Sequence, residues 1–190
     1  MVCLRIYLED LTMKTTVLLF HPNLANSKVN ATLAEALPEE IEVRNMYQLY
    51  PDFNIDVATE QAILEASDRI VLQFPMYWYS SPALLKQWED MVLEYGWAYG
   101  STGNALHGKE LIIAVSPGAD NYDRDNFAKY HVTELLRPFQ ATSRLIGTKF
   151  IKPFITVGAS SISNEVLQQQ ANAYATYLTS DSLEELGDFE

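Results

Sequence analysis

Residues 69–82 read Arg-Ile-Val-Leu-Gln-Phe-Pro-Met-Tyr-Trp-Tyr-Ser-Ser-Pro. Arg69–Phe74 is a short apolar run that reads as a buried strand, and Pro75 ends it. Pro82 opens a helix through about Tyr95, since proline suits the first helical turn. The same strand-then-helix unit recurs on both sides. Upstream, Thr15–Phe20 is a strand, Ser27 to about Ala36 a helix, Glu40–Asn45 an alternating strand and Val57–Ala66 a helix, with a loop at Pro51-Asp52-Phe53-Asn54 between the last two. Downstream, Lys109–Val115 is a continuous apolar strand and Asn126–Phe139 a helix. Phe150–Val157 is a strand that tolerates Pro153 at an edge, and Ser163–Leu178 is a final helix with Ser163 as cap and Glu165 in its first turn.

Five β-α units with continuous apolar strands predict an α/β fold with a parallel sheet covered on both faces. Their number and spacing fit a flavodoxin-like doubly wound five-stranded sheet, order 2-1-3-4-5. The chain has 190 residues, enough for one domain with its own core. Net charge is −12, which disfavours nucleic acid and anionic membrane surfaces as partners. Cys3 is the only cysteine, so neither an intrachain disulfide nor a CxxC metal or redox centre is possible. No apolar run reaches the ~20 residues of a membrane-spanning helix. These features predict a soluble, cytoplasmic protein. Met1–Thr12 lacks the build of a secretory signal and reads as an extension or an upstream start, the fold beginning near Met13. Asp181–Glu190 carries five acids and no base, and the net charge without them would be −7. That segment reads as a solvated, frayed acidic tail. The expected division is 1–12 extension, 13–179 domain and 180–190 tail.

In such a sheet a ligand lies beyond the carboxyl ends of the strands where the order reverses, here between the first and third strands. Three loops therefore matter. The first, His21–Asn30, runs into a helix N-terminus, where backbone N–H groups and the dipole favour an anion. Ser27 and Asn30 add side-chain donors there, Lys28 a positive charge, and His21 a donor at the strand end. Ser27 also reads as a plain N-cap and His21 as a packing residue. Neither a GxGxxG nor a GK[ST] motif is present. The second loop, Met76–Ser81, opens a stretch from Phe74 to Tyr99 that holds eight of the 22 aromatics and all three tryptophans. Density of that kind between two prolines suits a rigid wall for a planar ligand, which the switch-point position favours over a dimer interface, and the two readings can both hold. The third, Ser116–Tyr122, is small and turn-forming; its backbone can approach a ring edge, and it also reads as an ordinary turn. Ser101-Thr102-Gly103-Asn104 looks like an electron-carrier phosphate loop, but it follows a helix rather than the first strand.

HPNLANSKVN after the first strand, YPDFNID at Tyr50–Asp56, QFPMYWYSSPALLKQW at Gln73–Trp88 and GWAYG at Gly96–Gly100 resemble the flavodoxin-like NAD(P)H:quinone oxidoreductases. The similarity is greatest to the bacterial branch that includes the ancillary proteins of glutathione-gated potassium efflux, and it covers about Lys14 to Leu178. The resemblance implies a flavin, FMN in that branch and FAD in animal relatives, with NAD(P)H as donor and a quinone as acceptor in a ping-pong cycle. It implies phosphate binding by His21, Ser27, Lys28, Val29 and Asn30. Met76, Tyr77, Trp78 and Tyr79 would lie along the isoalloxazine, and Ser116, Pro117, Gly118 and Ala119 at its polar edge. Pro117 has no N–H and Ala119 resists a positive φ, so a donor to the ring is expected to be missing or shifted. Tyr122 and His131 are the candidates for the family's catalytic pair, His131 also reading as a helix-surface residue. A homodimer is implied, in which Trp97 and Tyr99 reach over the partner's flavin. The alternative role is a regulatory subunit on the cytoplasmic domain of a potassium efflux antiporter.

Overall fold

A computed structural model describes residues 13–188; the leader 1–12, with Cys3, lies outside the described residues. The elements follow in the order β1 (Thr15–Leu19), α1 (Lys28–Glu35), β2 (Glu42–Asn45), α2 (Met46–Leu49), α3 (Val57–Ala66), β3 (Arg69–Pro75), α4 (Ala83–Val92), β4 (Glu110–Ser116), α5 (Val132–Leu135), α6 (Arg137–Leu145), β5 (Lys149–Phe150), β6 (Phe154–Ile155) and α7 (Asn164–Leu178). The strands pair in parallel in the order β2-β1-β3-β4-β5, as the β-α alternation predicts. Side chains alternate between two cores. Leu18, Ile70, Leu72, Phe74, Leu111 and Ile113 pack with Leu64, Trp88 and Phe139 on one face; Val17, Val71, Ile112 and Ala114 pack with Leu33, Leu167 and Tyr174 on the other. Among the described residues no helix is long and apolar enough to cross a membrane.

The fifth strand is not the single run Phe150–Val157. It is two short pieces, β5 and β6, that both pair with β4. Pro153 has no N–H to donate, and between the pieces Lys152 turns its N–H to Glu184 at 2.9 Å. The helix expected over 126–139 starts later. Residues 120–131 form an irregular loop, tied where Asp123 Oδ1 accepts from the N–H groups of Asp125 and Asn126. Pro138 stands in the first turn of α6 rather than near a helix end, as its missing N–H allows.

The acidic end is also different from expectation. Leu186 is only 8% exposed and packs into the core. Its N–H donates to the Phe150 carbonyl at 2.9 Å, and the Gln140 amide donates to the carbonyls of Leu186 and Gly187. Arg144 pairs with Asp188, and Lys152 with Glu184 at 2.8 Å. Residues 184–186 thus cover the β5 edge, and Glu184 and Asp188 face basic groups. Leu186→Ala is expected to destabilise the protein by about 2 kcal/mol in urea unfolding, because a buried leucine is lost. A cost near zero would mean that the end is solvated after all.

Candidate functional site

The loops that leave the carboxyl ends of β1, β3 and β4 form the site. Backbone pairing carries β3 and β4 past the sheet, with Met76 N–H donating to the Ser116 carbonyl at 3.1 Å. Beyond it, Tyr77 and Ser80 exchange two 3.0 Å backbone hydrogen bonds around Trp78 and Tyr79. Both central residues have positive φ, 48° and 62°, which makes the turn a type I′ hairpin loop. Such turns favour Asn-Gly; a bulky side chain in this backbone costs about 1–2 kcal/mol. The strained turn displays its rings: Trp78 is 94% exposed, and Tyr79 sits edge-on to Tyr122 with ring centres 6.5 Å apart. Strain of this kind persists where surrounding structure over-determines it, as at ligand sites. Burial, and then the neighbouring Tyr79, raise the Tyr122 hydroxyl pKa, so it stays protonated at neutral pH.

The first loop divides its residues between binding and support. Ser27 caps α1, its Oγ accepting from Asn30 N–H at 3.1 Å. The N–H groups of Lys28 and Val29 in that first turn have no acceptor among the described residues, as helix starts require. His21 Nδ1 accepts from Asn23 N–H at 3.1 Å, and burial lowers the ring's pKa. The neutral ring therefore carries its proton on Nε2, free to donate, an assignment that follows from the hydrogen bond. Val29 contributes only backbone, since its side chain is core.

Asn30 and Lys28 are placed differently from expectation. Asn30 is 2% exposed; its Nδ2 donates to Ser116 Oγ at 2.8 Å, and its carbonyl accepts from Gln73 Nε2 at 2.9 Å. Tyr174 hydroxyl completes this chain by donating to Gln73 Oε1 at 3.1 Å. Asn30 and Ser116 thus join two loops from behind instead of facing a ligand. Lys28 Nζ donates to the Ile162 carbonyl at 2.7 Å and ties α1 to the segment before α7.

The third loop keeps its donors. Pro117 has none, but the N–H groups of Gly118 and Ala119 have no acceptor among the described residues, and Ala119 is not in the left-handed region. The loop's carbonyls are held by residues that sequence reasoning missed: Ala159, Ser160 and Gly158 donate to Pro117, Gly118 and Ala119 at 2.8–3.1 Å. A Cβ on Gly118 would come within 2.9 Å of Ser160 Oγ. A cleft of about 260 Å³ opens beside this loop, lined in part by Asp120, Thr156 and Ser163, and the buried Thr156 Oγ1 has no partner among the described residues.

Two expected groups stand elsewhere. His131 caps α5, its N–H donating to Glu134 Oε2 at 2.8 Å, and no contact joins it to Tyr122. Trp97 and Tyr99 lie at the amino ends of the strands. The Trp97 indole donates to Glu65 in the last turn of α3 at 2.7 Å, and Lys109, next to the start of β4, donates to the Glu65 carbonyl at 2.8 Å. They do not meet the other site residues of the same chain. Conversely, Tyr47 carries no sequence signal, yet its hydroxyl accepts from Leu84 N–H at 3.3 Å just beyond the Trp78 turn.

The donors on the first and third loops and the exposed rings on the second match the chemistry of a phosphate-bearing planar cofactor. Comparisons with known proteins agree. Residues 13–178 match the family model described as flavodoxin-like fold. The chain is 51% identical to General stress protein 14 of Bacillus subtilis over 87% of its length and 97% of that protein. It is 49% identical to a B. subtilis protein called Uncharacterized NAD(P)H oxidoreductase YrkL, over 89% and 99% of the two chains. Identity is 45% to the KefF ancillary protein of glutathione-regulated potassium efflux in Klebsiella aerogenes, over 81% and 88%. Among solved structures, general stress protein 14 of Treponema denticola in complex with FMN superposes with a TM-score of 0.83 at 39% identity, over 87% and 97%. An NADPH-quinone reductase of P. pentosaceus superposes at 0.80 and 31%, over 90% and 100%.

Proposed function

We infer, from the premise that the chain belongs to the flavodoxin-like fold family, that it is an FMN-dependent NAD(P)H:quinone oxidoreductase. The observation that carries this reading is the strained Trp78–Tyr79 turn, set beside unengaged donors on the two neighbouring loops. The names of the relatives, NAD(P)H oxidoreductase and NADPH-quinone reductase, and the FMN complex of one of them support it. Bound FMN would supply two-electron hydride chemistry between NAD(P)H and a quinone that use the same place in turn, a ping-pong order.

The chain's part is to bind, orient and shield. Lys28 and Val29 N–H with His21 Nε2–H would hold the phosphate at the start of α1. The Gly118 and Ala119 N–H groups would meet the polar edge of the ring. Met76, Tyr77, Trp78 and Tyr79 would supply the wall along its face. Tyr122, protonated and held edge-on to Tyr79, would give a proton to a quinone oxygen. Trp97 and Tyr99, at the far end of the sheet, can complete a site only on a second copy, which favours a homodimer.

Purified protein is expected to be yellow, to bleach with NAD(P)H and to recolour with a quinone, and heat release with chromatography should identify FMN. A colourless protein that takes up neither FMN nor FAD refutes the reading. The identity with KefF over 158 residues favours a second role, as a cytoplasmic ancillary subunit on a potassium efflux antiporter. Co-purification with the antiporter's cytoplasmic domain tests it, and failure to associate removes it.

A further inference from the structure

Four non-glycine residues among those described have left-handed backbone: Phe53, Trp78, Tyr79 and Lys129. Three are aromatic, and all three stand on loops beyond the carboxyl ends of β2 and β3, the two strands that flank β1. Phe53, at φ 63°, repeats on the β2 side what the Trp78 turn does on the β3 side.

The Phe53 turn is held from below. Phe53 N–H donates to the Tyr50 carbonyl at 3.1 Å, and Asp52 Oδ1 accepts from Asn54 N–H at 3.1 Å. Tyr50 hydroxyl donates to Glu60 Oε1 at 2.7 Å. Glu60 is fully buried and also accepts from Arg44 at 2.5 Å and from the Trp88 indole at 3.1 Å. On this base the Phe53 ring stays 36% exposed and takes no place in either core. Its one ring partner is Tyr47, perpendicular at 5.9 Å, whose hydroxyl reaches the first turn of α4 directly after the Trp78 loop. Phe53 and Tyr47 thus form an aromatic pair that is tied by the Tyr47 hydroxyl to the start of α4, just past the hairpin.

We propose that Phe53 is a specificity-determining residue of the acceptor site, selecting planar, uncharged aromatic acceptors of the naphthoquinone class. The inference rests on the oxidoreductase reading above. A ring that is displayed by strained backbone and left out of the core offers a stacking face. The nearest charges along the loop, Asp52 and Asp56, are both acidic and disfavour anionic acceptors.

The test compares Phe53→Asn and Phe53→Tyr with the wild type, all loaded with FMN. Asparagine tolerates the left-handed backbone, so the turn is kept while the ring is removed. In F53N the KM for menadione is expected to rise about tenfold with a smaller change in kcat. Menadione binding to the oxidised protein, followed by calorimetry, should weaken in parallel. Selectivity for menadione over ferricyanide, as a ratio of kcat/KM values, should fall about tenfold, and F53Y should restore it. Unchanged menadione KM and binding in a flavin-loaded F53N overturn the proposal. So does a shift from dimer to monomer at unchanged menadione affinity, which would make Phe53 an interface residue. A wild-type protein that takes up no flavin overturns the oxidoreductase reading itself.

Discussion

Replacing Glu60 by alanine is expected to destabilise the protein by about 3–5 kcal/mol, the cost of breaking a buried ion pair from one side. Glu60 has no exposure and accepts three hydrogen bonds, from Arg44, Tyr50 and Trp88, so one carboxylate joins β2, the loop after α2, α3 and α4. Without it, Arg44 keeps only the 3.4 Å contact to the partly exposed Glu42, and Arg44 Nε already has no partner among the described residues. Tyr50 and Trp88 lose their acceptor in the core, where an unsatisfied donor costs about 1–3 kcal/mol. Glu60→Gln keeps the shape and some of the bonds but not the charge, and should cost less. Urea unfolding of the three proteins measures the order. A loss below about 1 kcal/mol in E60A would mean that solvent reaches the pair.

The second large effect is a dependence on pH. Glu89 on α4 lines an apolar cavity between Trp88, Leu93, Leu106 and Ile146. Burial pushes its carboxyl up to about 7, with Lys86 only partly opposing the shift. A carboxyl raised in the folded state binds its proton more tightly there than in the unfolded chain. Its ionisation therefore removes stability as pH rises from about 4.5 to about 7, and the full loss is present above that. With allowance for the solvent that still reaches the group, the loss is about 2–3 kcal/mol. Glu89→Gln cannot ionise. It should match the wild type near pH 4.5 and exceed it by that amount at pH 8, measured as urea midpoints at the two values. Equal midpoints at pH 8 would show that the carboxyl is solvated.

The sheet could be read from the chain because its signal is local. Ile70, Leu72 and Phe74 alternate with Val71 and Gln73 in the strand itself, and proline marks its end. The loops of the site followed from strand order alone. What escaped was set by contacts far apart in sequence. Leu186 stands among acids after Leu183, and its fit beside Phe150 cannot be seen from local charge. Asn30 has the composition of a ligand donor, yet Ser116 and Gln73, 86 and 43 residues away, take its polar groups. His131 has the composition of a catalytic residue and the position of a helix cap. Pro138 is compatible with a helix start or the approach to a helix end, and only the course of residues 120–131 decides between them. Phe53 stands within YPDFNID, but nothing in its type shows a left-handed backbone. A bulky residue directly after a Pro-Asp turn was the available sign.

The bond from Asn30 to Ser116 has a thermodynamic consequence for cofactor uptake. The first turn of α1 and the end of β4 are joined across the end of β3 through buried polar groups, and Gln73 and Tyr174 continue the link to α7. Neither the start of α1 nor the end of β4 can shift without leaving a buried donor or acceptor unmatched. Little conformational entropy remains for a ligand to remove, so most of its contact energy should appear as affinity instead of being consumed in ordering the protein. A flavin, if the proposed function holds, would meet a receptor whose shape folding has largely determined.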